Sequence, residues 1–78
     1  MSELLHEVEE TIEGKKRLQA VFGETEGAEL TELAIKLRAE RWSSAPDFIE
    51  WMIADAARGD SFEAVRRKWS MKLKEAGR

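Results

Sequence analysis

The chain has 78 residues, no cysteine, 42% hydrophobic and 37% charged side chains, and a formal charge of −3. That length allows one domain, spanning 1–78, near the lower limit for a self-sufficient core, and the missing thiols exclude disulfides and thiolate metal sites as staples. Apolar runs are only a few residues long and the N-terminus, MSELLHEVEE, is acidic, so the expectation is a cytoplasmic protein with neither a membrane span nor a basic signal peptide.

Ser2 is placed to cap a first helix over about 2–13, in which Leu4, Leu5, Val8 and Ile12 recur at helical spacing and Gly14 offers a stop. The next segment, KKRLQAVFG, reads two ways. Leu18, Val21 and Phe22 make a helical stripe, whereas Leu18, Ala20 and Phe22 alternate as in a short strand, so 16–22 stays open between the two. GETEG (23–27) reads as a turn. A second helix follows over 28–41, with Leu30, Leu33, Ala34 and Leu37 on its main stripe and Ile35, Ala39 and Trp42 on another side.

WSSAP breaks the pattern, because the residue before Pro46 is pushed away from helical angles. Ser44 with Asp47 forms a capping box for a third helix over 45–58, and Pro46 sits where no donor is lost. Asp47, Glu50, Ala54 and Arg58 make its narrow polar stripe. Phe48, Ile49, Trp51, Met52, Ile53, Ala56 and Ala57 cover the rest, the composition of a central helix packed on at least two sides. Gly59 ends it, and Asp60 with Glu63 offers a box for the last helix, 61–76. There Phe62, Val65, Trp69, Leu73 and Ala76 keep the cleanest period in the chain. The expected fold is all-α, a compact bundle of about four short helices with neighbours roughly antiparallel.

The net charge hides a gradient. Residues 1–13 carry Glu3, Glu7, Glu9, Glu10 and Glu13 without Lys or Arg, whereas 64–78 carry Arg66, Arg67, Lys68, Lys72, Lys74 and Arg78 against Glu75 alone. Opposed ends of this kind point to helices whose outer faces attract, within one chain or between chains.

Catalytic chemistry finds little support. His6 is the only histidine, and one imidazole among Glu3, Glu9 and Glu10 does not supply a zinc site. There is no cysteine nucleophile and no tyrosine, and the glutamates lie spread over helix faces instead of converging in a cleft. FGETEG lacks the lysine of a phosphate loop, and RGD at 58–60 is explained by a helix stop and a cap. No enzyme, cofactor, metal or small-molecule substrate is expected.

RLQAVF (17–22), ELTELAIKL (29–37) and SSAPDFIEWMI (43–53) follow one another in an order that resembles ribbon–helix–helix repressors and antitoxins. In that family a serine-started second helix with a hydrophobic pair follows the first, as Ser44, Phe48 and Ile49 would here. The resemblance implies a DNA-binding dimer whose paired strands enter the major groove, with Arg17 and Gln19 facing bases.

The leading reading is different: a non-enzymatic protein–protein interaction module, acting as a small regulator, adaptor, inhibitor or accessory subunit and forming a homo-oligomer or binding another protein. It rests on more large apolar side chains than a small four-helix core readily hides. Ile35, Trp42, Ile49 and Ile53 are the candidate interface. An acidic nucleic-acid mimic built on the first helix is a third class.

Overall fold

Gly23 alone separates the first two helices. The computed structural model describes residues 2–40 and 43–76, with side chains from residue 6, and their architecture is α1 (Ser2–Phe22), α2 (Glu24–Ala39), α3 (Ala45–Ala57) and α4 (Phe62–Ala76). No strand forms among the described residues. The all-α bundle is therefore as the pattern suggests, but two boundaries move. α1 passes through Gly14 and takes in residues 16–22 as helix, and α2 starts inside the segment read as a turn.

The glycines explain both shifts. A Cβ on Gly14 would sit 2.8 Å from the Ile49 side chain, and one on Gly27 would sit 2.4 Å from the backbone nitrogen of Gln19. Each glycine lets another helix approach closely; neither stops its own. Gly23 does stop α1, at a φ of 120° that other residues rarely adopt. Its N–H donates to the Gln19 carbonyl, and its own carbonyl accepts from Gly27. Glu24 and Glu26 then occupy the first turn of α2, where the helix dipole favours anions, so the acidic stretch is a helix start.

Gln19 lies against Gly27 and Glu7 against Arg38, so α1 and α2 form an antiparallel hairpin. α2 and α3 pack at the centre, with α1 and α4 each resting on both. α1 meets α4 through an edge-on pair of Phe22 and Phe62, with centroids 6.3 Å apart. Leu18, Leu30, Leu37, Phe48, Ile49, Met52 and Val65 make the fully buried core. The α2 and α4 stripes fall where the periodicity puts them. The α1 stripe does not, since Gly14 and Leu18 face inward while Val8 and Ile12 are about half exposed.

Ser44 caps α3, its hydroxyl accepting from the Asp47 N–H at 3.3 Å. Gly59, at φ 98°, follows the end of α3. The expected cap at Asp60 shifts by one residue, because the Ser61 hydroxyl accepts from the Ala64 N–H at 3.2 Å.

Two substitutions check this packing by denaturant melts. In an open helix Gly→Ala is stabilising by roughly 0.5–1 kcal/mol. At Gly27 the new methyl meets helix backbone that cannot rotate away, so Gly27→Ala is expected to destabilise by about 1–3 kcal/mol. A raised midpoint would contradict the close approach. Ser44→Ala is expected to cost on the order of 1 kcal/mol by orphaning a helix-end amide, and an unchanged midpoint would remove the cap.

Candidate functional site

The displaced stripe of α1 creates an apolar concavity at the surface. Val8 and Ile12 from α1 and Ile35 from α2, each about half exposed, line a groove of about 420 Å³ with Thr11 and Ala45. Its wall is polar for a local reason. Glu7 holds an inward position on α1 and accepts from Arg38 Nε at 2.7 Å and from the Ala45 N–H at 3.4 Å. The Arg38 hydrogen bond is the main cause that keeps the Glu7 carboxyl below its ordinary pKa. One carboxylate thus ties α1 to α2 and to the N-terminus of α3.

Towards the C-terminal end of α3, Asp55 is buried with 1% of its surface exposed. It accepts from Trp69 Nε1 at 2.9 Å and Lys68 Nζ at 3.1 Å on α4, and from Arg58 just past the end of α3. Burial pushes this carboxyl up. The Trp69 and Lys68 hydrogen bonds, with the charges of Lys68 and Arg58, outweigh burial and hold it below its ordinary value. Above it, Trp51 stacks on Trp69 with centroids 6.0 Å apart and planes 9° from parallel, and Phe48 meets both rings edge-on. Lys68 and Lys72 lie 5.0 and 5.9 Å from the Trp69 ring centroid. Trp69 is core, but Trp51 is 46% exposed.

The four candidate interface residues separate. Ile35 lines the groove, and Trp42 lies outside the described residues. Ile49 is buried against Gly14 of α1, so it packs within the fold, and Ile53 is half-buried against the core. Arg17 and Gln19 stand on a helix. Arg17 pairs with Glu50, and Gln19 donates to the Glu24 carbonyl at 3.0 Å, so both have partners within the fold. His6 pairs with Glu10 on the exposed side of α1. Among the described residues no group of three or more His, Cys, Asp or Glu could hold a metal ion, and no helix is long and apolar enough to cross a membrane.

Asp55 does not stand out from the sequence pattern, yet a signal for it exists. Asp55 falls three residues after Met52 and seven after Phe48, on their apolar stripe, with an indole donor available on the next helix. Periodicity puts Val8 and Ile12 on one stripe of α1 but does not say which stripe of a helix faces inward.

No protein-family model matches the chain, and neither the curated proteins nor the solved structures give a match.

The Asp55 clamp has a pH signature. Its folded pKa lies below the ordinary 3.8, so its stabilisation is full above that value and is lost as pH falls through the folded pKa. Asp55→Asn is expected to destabilise by roughly 1–3 kcal/mol near neutrality, through imperfect pairing of the buried Trp69 N–H. The gap to the unsubstituted protein should close in acid. Denaturant melts across the acid range check this, and parallel stability profiles would contradict it.

Proposed function

We propose that the chain is a non-enzymatic, cytoplasmic protein-interaction module, a small regulator, adaptor, inhibitor or accessory subunit, that docks through the α1/α2 groove. The observation that carries the reading is the grouping of Val8, Ile12 and Ile35 around one concavity. Scattered exposed aliphatics are ordinary, whereas these three are grouped in one concavity with the Glu7–Arg38 pair at its rim, an arrangement suited to docking.

Magnitudes set the character of the docking. Full burial of such a side chain is worth about 1.5–3 kcal/mol, and these are already half buried, so each adds on the order of 1 kcal/mol. Three of them fall well short of the roughly 8 kcal/mol of a micromolar complex. A partner must therefore engage the rim and the surface beyond it as well.

A photoreactive amino acid at position 35 is expected to crosslink one defined protein, identified by mass spectrometry, in extract of the cells of origin. The same group at the exposed Asp60 should not, and Ile12→Glu should abolish the product. Equal capture at both positions would overturn the reading.

A further inference from the structure

We propose that the occupant of the groove is α4 of a second copy of this chain, docked head to tail; the proposal rests on the reading of the groove as a docking surface. Ile12 is shared between the groove and an adjoining concavity lined by Glu9, Glu10 and Glu13 together with His6, which pairs with Glu10. The apolar floor therefore has an acidic flank. α4 presents the complement on its outward face. Met71, 56% exposed, shares a shallow concavity with Arg66, Arg67 and Lys74, and with Glu63, which pairs with Arg66. Arg67 and Lys74 lie two turns apart on either side of Met71, so a methionine entering the groove would carry a cation at each end.

Of these charges Glu10 pairs with His6, and Arg66 with Glu63 and Glu29, while the other four find no ion-pair partner among the described residues. The ion pairs between α1 and other helices run to α2 and α3, through Glu7 with Arg38 and Arg17 with Glu50. Those of α4 run to α2, to α3 and within itself, through Arg66 with Glu29, Lys68 with Asp55 and Arg66 with Glu63. Glu9, Glu13, Arg67 and Lys74 make no ion pair among the described residues. The attraction implied by the opposed ends of the sequence is left for contact between chains. Groove-to-groove pairing would set Glu9, Glu10 and Glu13 of two copies close together, which like charge disfavours. Head-to-tail pairing sets Arg67 and Lys74 over them instead, and such contacts build rings or open chains.

Sedimentation equilibrium of the full chain tests the proposal. At low salt the mass should rise from micromolar to millimolar concentration, and high salt should return it towards the monomer. Glu9→Lys with Glu13→Lys makes both faces basic, and Arg67→Glu with Lys74→Glu makes both acidic. Each double variant, with helicity checked by circular dichroism, should stay monomeric alone, and their equimolar mixture should associate. Should either lose helicity, Met71→Gln replaces it and should weaken self-association several-fold. A monomeric wild type, association insensitive to salt and charge reversal, or a mixture of folded variants that stays monomeric would each overturn the proposal. A monomeric wild type whose position 35 still crosslinks one other protein leaves the docking groove standing and removes only α4 as its occupant.

Discussion

The hydrogen bond from the Trp69 indole to the buried Asp55 carboxylate sets how α4 sits on the rest of the fold. α4 buries only Val65 and Trp69 deeply, with Phe62 and Leu73 partly covered. Apolar contact of that extent tolerates some rotation of a helix about its axis. A directed bond to a fixed carboxylate does not, because a buried indole N–H without an acceptor is costly. With Trp69 held inward, Met71 lies about 200° further round the helix, since each residue advances about 100°. The clamp thus decides that Met71, Arg67 and Lys74 face solvent. Lys68, with its side chain 41% exposed, neutralises the acid while keeping part of its length in water.

In the α1/α2 hairpin, close helix approach does the comparable work. Gly14 and Gly27 bring α1 against α3 and α2 at distances a methyl group would forbid. That approach turns Gly14 and Leu18 inward and puts Glu7, not Val8, at the junction of three helices. Val8 and Ile12 are left outside beside Ile35, and the Glu7–Arg38 pair closes the groove they form. The surface proposed for docking is a by-product of how tightly the first hairpin packs.

Periodicity made α2, α3 and α4 legible, because Leu30–Ala34–Leu37, Phe48–Met52 and Val65–Trp69 lie on the faces they bury. The Ser44 cap was legible from local chemistry alone. α1 was not, for two reasons. Gly14 and Gly23 look alike in a sequence, yet one packs and the other breaks, and that difference depends on a distant isoleucine. The inward face of α1 is also partly polar, so its apolar residues pointed to the wrong side. For the candidate site, Ile35 was legible as an aliphatic off its helix's main stripe. Ile49 belongs to the core, and Ile53 packs against it, because α1 runs to Phe22, well beyond the 2–13 its pattern suggests, and Gly14 on it meets Ile49 of α3. Asp55 was missed because an acid among Ala54, Ala56 and Arg58 reads as a helix end until its partner on α4 is known.

The orientation of α4 is the claim on which the rest turns, and the indole resonances test it most directly. In a ¹H–¹⁵N spectrum followed through acid pH, Trp69 Nε1–H should be protected from solvent exchange. Its shift should follow a carboxyl titration below the ordinary aspartate range, while the half-exposed Trp51 indole exchanges fast. A Trp69 indole that exchanges as fast as that of Trp51, with no carboxyl titration in its shift, would contradict the account.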